Sequence, residues 1–279
     1  MKRILALAVV AVSSLGYAST AHADVCDLTT AGSTCGPAVY GAIYSNVLPQ
    51  PTGTGYIDPF LRLQNTGIEQ GYNTSADFKP GGGLDFQFDQ KDPINYTHDL
   101  LLSDVPIVTK NGVDYREFWL DINEAGSADK HLLSLDKLQI FLSPVGMLGV
   151  RNSANDPGTG YQNGMLNNLP AIYDLDSGKD NTILLDYNLG SGSGSGDMVV
   201  YIPNSLFVGG SYVYLYSMFG ATTGAGADLG ANTSDAGFEE WWVKKSNGST
   251  PNPPVPEPGT WLLVGSGLAV AAARLRKRA

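Results

Sequence analysis

Two short stretches concentrate the oxygen donors and aromatic rings that could do chemistry. The first is DLDSGKDN, Asp174 to Asn181. Asp174, Asp176 and Asp180 are spaced along a turn, and such a turn can wrap hard carboxylate oxygens around Ca²⁺. The spacing opens like an EF-hand loop and then departs from it. Lys179 stands where the turn glycine belongs, and Leu185 where the bidentate Glu belongs. The plain alternative is an Asx-rich turn joining two strands. The second stretch is YREFWLDINE, Tyr115 to Glu124. At a period of two, Phe118, Leu120 and Ile122 share one face and form core, while Tyr115, Glu117, Trp119 and Asp121 share the other. Rings beside carboxylates suit a sugar, which needs a flat apolar face for its ring and acceptors for its hydroxyls. Glu117, Trp119 and Asp121 are therefore the candidate carbohydrate-binding set. The alternative buries Trp119 under a neighbouring sheet or loop.

Other residues offer less. Tyr212, Tyr214 and Tyr216 form a one-faced stripe opposite Val213 and Leu215, and read as half-buried sheet with wet phenol tips. Trp241 and Trp242 are adjacent, so on a simple strand they point to opposite faces and at most one is core. Cleavage of a glycosidic bond needs two carboxyl groups at a set separation. Glu69, Glu117, Glu124, Glu239 and Glu240 supply carboxyls but fix no distance. No nucleophile elbow, zinc-spaced histidine pair, Walker loop or Rossmann turn occurs in its required context. The run GSGSGSG at Gly190–Gly196 lacks the strand-to-helix setting that binds phosphate. The expectation is a non-enzyme, with a glycoside hydrolase or lyase as the alternative.

All these residues must be held by β-structure. Short β-branched and aromatic runs alternate with turn clusters, and helical periodicity is nearly absent. The expected strands are Val39–Ser45, Tyr56–Leu63, Leu84–Phe88, Val105–Val108, Tyr115–Ile122, Leu138–Leu142, Ile172–Leu175, Ile183–Tyr187, Met198–Ile202, Tyr212–Phe219 and Phe238–Val243. Asn111-Gly112 and Gly209-Gly210 mark turns, and any helix is one or two turns near His131–Leu138. This reads as an all-β, single-domain β-sandwich or jelly roll over residues 24–245. Ser246–Pro254 (SNGSTPNPP) follows as a polar, Pro-rich linker without core residues.

Both ends carry targeting chemistry. Lys2 and Arg3, the apolar run Ile4–Leu15 and the small residues Ala21-His22-Ala23 fit a signal peptide over residues 1–23, whose removal leaves Asp24 first. Residues 255–279 contain VPEPGT, then the apolar Trp261–Ala273, then RLRKR. Thirteen residues of helix span about 20 Å, short of a bilayer core of about 30 Å, so they form a marginal transmembrane helix. The basic cluster stays cytoplasmic and puts the Pro-Glu-Pro turn on the far side, where its prolines keep the chain extended. The alternative is a buried terminal helix. Cys26 and Cys35 are the only cysteines, and in an exported chain they pair across a small loop. The net charge of −10 understates the acidity of the body. Six of the 17 basic residues lie before Asp24 or beyond Pro258, which leaves 11 against 27 acidic residues in the stretch between, or −16. That field repels nucleic acid and anionic lipid faces, and it suits solubility and cation uptake.

The tail resembles a PEP-CTERM sorting signal, the tripartite tag read by exosortases. Val255, Pro256, Glu257 and Pro258, the Gly-containing apolar run, and Arg274, Arg276, Lys277 and Arg278 carry the resemblance. A second resemblance covers most of the body. TGTGYIDPFLRLQ (Thr52–Gln64), EQGYNT (Glu69–Thr74), LSDVPIV (Leu102–Val108), YREFWLDINE, LSLDKLQIFLS (Leu133–Ser143), SGSGDMVVYIPNSLF (Ser193–Phe207) and YVYLYSMFG (Tyr212–Gly220) are similar to a group of exported PEP-CTERM proteins. The resemblance implies signal peptidase and exosortase as processing partners and transient inner-membrane anchoring. It also implies a final place at the cell surface or outside the cell, beside exopolysaccharide and biofilm. It supplies no catalytic residue. The functional expectation is a structural or adhesive surface protein, and the alternative is a calcium-assisted carbohydrate-binding module.

Overall fold

A computed structural model describes residues 24–36, 39–47, 57–76, 86–92, 95–126, 130–149, 159–190, 196–221, 233–235 and 237–244. The expected signal peptide, the linker and the C-terminal tag, with Val255, Pro256, Glu257, Pro258, Arg274, Arg276, Lys277 and Arg278, lie outside the described residues. So does the start of the strand expected at Leu84.

The described elements are β-strands and single 3-10 turns, grouped into several sheets. In the first large sheet Val25–Asp27, Thr182–Asp186, Leu132–Ser143, Tyr212–Phe219 and Glu69–Tyr72 lie side by side, and Tyr173–Asp174 and Leu100–Leu101 add short pairings. In the second, the order is Thr34–Cys35, Ile43–Ser45, Met198–Pro203, Val113–Asp121, Glu239–Trp242 and Pro59–Leu63, with Ile107–Lys110 paired to Val113–Asp121. That last pair is a hairpin closed by Asn111-Gly112, whose φ values of 50° and 79° suit these two residue types.

Both large sheets contribute to one apolar core. Phe118, Leu120, Ile122, Met198, Val200 and Ile202 of the second meet Leu133, Leu135, Leu138, Ile140, Val213 and Leu215 of the first. The alternation in Leu132–Ser143 changes parity, from residues 133 and 135 to 138 and 140. A register shift between Leu135 and Lys137 accounts for it. The extra residue of the bulge, Asp136, lets the strand keep an apolar face inward on both sides of the irregularity. Its carboxylate accepts from Ser134 Oγ and the Ala221 amide, both at 2.7 Å.

Two polar pairs cross this core. Trp241 Nε1 donates to Ser217 Oγ at 3.0 Å, and the hydroxyls of Tyr44 and Tyr173 meet at 2.6 Å. Each bond ties one sheet to the other. Cys26–Cys35 does the same covalently, since Cys26 lies in the first sheet and Cys35 in the second.

Three expectations are corrected here. His131–Leu138 is not helical but opens the twelve-residue strand Leu132–Ser143, because its side chains are needed alternately in the core and its backbone pairs on both edges. Val39–Ser45 divides into a 3-10 turn, Val39–Gly41, and the strand Ile43–Ser45; Tyr40 there has φ 52°, outside strand geometry. Residues 86–88 run as an irregular bend rather than a strand. Most other expected strands occur with shifted ends.

The chain-entropy model assigns a loop this short about 2–3 kcal/mol of stabilisation through restriction of the unfolded chain. Replacing Cys26 and Cys35 by Ser is therefore expected to lower unfolding stability by about that amount. Denaturant titration with and without reductant checks it, and reductant should not affect the variant.

Candidate functional site

The Glu117, Trp119 and Asp121 face is covered. Trp119 is 2% exposed. Trp242 tilts over it with ring centroids 5.2 Å apart, and Lys244 Nζ sits 3.9 Å from the ring centroid. Its indole N–H donates to Glu117 Oε1 at 2.8 Å, so the carboxylate that was to receive a sugar hydroxyl is engaged. Glu117 and Asp121 are buried as well. The period-two reading of faces holds, but the second face is a satellite core of Tyr115, Trp119, Val199, Tyr201 and Trp242. Trp241 and Trp242 point to opposite faces and both are buried, because the sheet is apolar on both sides.

The tyrosine stripe is covered in the same way. A three-stranded meander, Tyr161–Gln162, Met165–Leu166 and Leu169–Pro170, brings Tyr161 onto Tyr216 as a stacked pair 3.8 Å apart. Tyr214 and Tyr216 are buried rather than wet.

In DLDSGKDN the carboxylates serve the turn. Asp174 accepts from Gln139 Nε2 at 2.6 Å and from the Asp176 amide at 3.0 Å. Asp176 accepts from the Asn181 amide at 3.1 Å, and Lys137 Nζ lies 3.4 Å from it. Burial pushes the Asp176 carboxyl up to about 6, against the pull of Asn181 and Lys137. Asp180 is exposed. No metal-holding group of three or more His, Cys, Asp or Glu is formed among the described residues. As they stand, Asp174 and Asp176 serve an Asx-type turn, and Asp180 lies exposed at its edge. Beside it, Val25, Cys26, Leu175, Ser177, Asn181 and Ile183 help line a cleft of about 500 Å³.

The structure instead gathers carboxyls at the corner where the chain passes from Pro59–Leu63 in one sheet to Glu69–Tyr72 in the other. Ser234–Asp235 pairs with Thr66–Gly67 along this crossing. Gly220 packs so tightly here, at φ 71°, that a Cβ would lie 2.3 Å from the Gly67 carbonyl oxygen. Glu69 and Glu239 are fully buried and Glu124 is buried beside them. The Asn65 amide and Ser234 Oγ donate to Glu69 Oε2 at 2.8 and 3.1 Å. The Asp235 amide donates to Glu124 Oε2 at 2.9 Å, and Lys130 Nζ reaches Asp235 Oδ1 at 3.0 Å. Glu69 Oε1, Glu124 Oε1, Asp235 Oδ2 and both oxygens of Glu239 have no hydrogen-bond donor in place. The Asn123 amide approaches Glu239 and favours its charged form, but without hydrogen-bond geometry.

Burial is the first cause that pushes these carboxyls up. Glu239 rises far above the usual carboxylate range, Glu69 rises, and Glu124 rises to about 7. Mutual repulsion adds to it: Glu69 and Glu124 act on Glu239, and Asp235 and Glu69 act on Glu124. The carboxyls of Glu69 and Glu239 lie within reach of one another. Two such groups do not both ionise without a countercharge.

Among known families, the PEP-CTERM protein-sorting motif matches residues 254–277. The chain carries a PEP-CTERM sorting signal. It is thereby an exosortase-targeted, exported protein whose tail is handled at a membrane. No curated protein and no solved structure matches it. Among the described residues no helix is long and apolar enough to cross a membrane.

The body that precedes this sorting signal unites three of the five glutamates noted in the sequence, Glu69, Glu124 and Glu239. Glu117 lies under Trp119, and Glu240 pairs with Arg62. Glu124 titrates near 4.5 when unfolded and at about 7 when folded. The folded chain holds a proton there that the unfolded chain has released. The stability this group contributes is complete below 4.5 and is lost as pH rises towards 7. In metal-free buffer the thermal midpoint is expected to fall across that window, and Glu124→Gln is expected to flatten the slope.

Proposed function

We propose that this is an exosortase-processed β-sandwich protein of the cell surface or extracellular matrix, structural or adhesive in role, working beside exopolysaccharide. The sorting motif at residues 254–277 carries the reading. The body is in keeping with it. A disulfide ties the two sheets, as suits an oxidising compartment. A charge of −16 over the exported part keeps the body soluble and apart from other polyanions. Two sheets around one core make a stiff unit, and we read their path as a sandwich of jelly-roll type. We also propose that the chain is not an enzyme: the adjoining carboxyls of Glu69 and Glu239 are sealed from any polymer.

The second reading is a polysaccharide-binding module. The 500 Å³ cleft near the disulfide, rather than Trp119, favours it, since polar Asp24, Ser177 and Lys179 line it beside apolar Val25, Leu175 and Ile183. Native gel electrophoresis through a panel of exopolysaccharides tests it, and absence of retardation in every gel removes it. A reducing-sugar assay on the same polymers is expected to show no new chain ends.

Deleting Trp261–Ala279 is expected to abolish processing and surface delivery, with the precursor collecting before the sorting step. Replacing Pro256, Glu257 and Pro258 by Ala should block processing while leaving membrane association intact. Fractionation with immunoblotting reads both, and normal surface delivery of the truncated chain would refute the sorting role.

A further inference from the structure

The corner cluster has a chemistry that neither the sorting signal nor the cleft uses. Glu239 is fully buried, and both of its carboxylate oxygens lack a hydrogen-bond donor. It faces Glu69 and Glu124, each of which adds one oxygen without a donor, and Asp235 adds another. A buried carboxylate oxygen without a partner is held only against a substantial desolvation penalty. A proton shared between Glu69 and Glu239 would satisfy a single contact and leave the other oxygens bare. Lys130 does not supply the missing charge, since it engages the other oxygen of Asp235 with a largely exposed side chain.

We propose that this corner binds a divalent cation, Ca²⁺, through Glu69, Glu124, Asp235 and Glu239. The donors are all hard oxygens, and no histidine or cysteine is among them, which disfavours zinc and other thiol- or imidazole-seeking metals. Ca²⁺ takes six to eight oxygens in irregular geometry and accepts bidentate glutamate, as Glu239 could provide. Mg²⁺ demands a strict octahedron and retains waters, for which a buried corner leaves little room. As the side chains stand, they form no metal-holding group; the proposal requires the three glutamates and Asp235 to turn their free oxygens to one point when the ion binds. The bound ion would join the Glu69 strand of one sheet, the Glu239 strand of the other, the end of Val113–Asp121 and the crossing segment at Ser234–Asp235. The inference does not rest on the surface role proposed above.

The test uses the full chain, stripped with EDTA and titrated with CaCl₂ at neutral pH while thermal unfolding is followed. At a hundredfold excess over Kd the midpoint is expected to rise by roughly 5–10 °C. Tb³⁺ should bind competitively with Ca²⁺ and show luminescence sensitised by Trp241 and Trp242. Glu239→Gln and Glu69→Gln keep the side-chain shape and should abolish both signals. Should either fail to fold, as judged by far-ultraviolet circular dichroism, Glu124→Gln is the substitute and should weaken binding at least tenfold. Asp176→Asn should leave both signals unchanged. A midpoint insensitive to Ca²⁺ overturns the proposal, and so does a Ca²⁺ response that survives in the glutamine variants. A response lost in Asp176→Asn would move the site to the Asp174–Asn181 turn and overturn it equally.

Discussion

Everything in this body follows from burying two sheets against each other. A strand that faces a second sheet must present apolar side chains at every other position, and the Leu132–Ser143 strand keeps that rule only by inserting a bulge at Asp136. A core assembled in this way excludes water from whatever else crosses it. The links across it described above are specific: one indole to one hydroxyl, one phenol to another, and one disulfide. The corner of carboxyls is where this matching fails most, because several like charges meet there with oxygens that have no donor. It is also where the chain passes between sheets, so its chemistry and the topology are coupled.

Much of the fold was legible in the residues. Alternation in YREFWLDINE placed Phe118, Leu120 and Ile122 in the core, and Asn111-Gly112 marked a hairpin. Two lone cysteines in an apparent export substrate implied their bond. Where the reading failed, tertiary cover was the reason. Period two says which residues share a face but not what lies on it. The Trp119 face resembled a sugar platform until Trp242 and Lys244 were laid over it. The tyrosine stripe gave no sign of the meander that carries Tyr161 onto it. The strand opening at Leu132 was missed because Lys137 falls where the alternation of Leu133 and Leu135 calls for an apolar residue, so the period breaks at the bulge.

The carboxyl corner was legible only as an inventory. Glu69, Glu124 and Glu239 could be named as available carboxyls, but they sit far apart along the chain and on three different strands or strand ends. Only sheet pairing brings them together. DLDSGKDN drew attention because its aspartates are close in sequence, yet closeness served a turn: the oxygens of Asp174 and Asp176 are engaged by Gln139, Lys137 and neighbouring amides. The contrast is physical. Donors near in sequence satisfy one another through local backbone geometry, while distant donors brought together by folding retain unspent oxygens.

Export gives these features a common setting. The sorting motif directs the chain to a membrane-bound processing step, and a disulfide-tied, acidic, two-sheet body suits life outside the cytosol. Intact-mass spectrometry of the protein recovered from its own cells tests this most directly. The account predicts a species that begins at Asp24, has Cys26 and Cys35 oxidised, and has lost the apolar and basic tail beyond the Pro-Glu-Pro turn. A full-length, reduced chain recovered from the cytosol would contradict it.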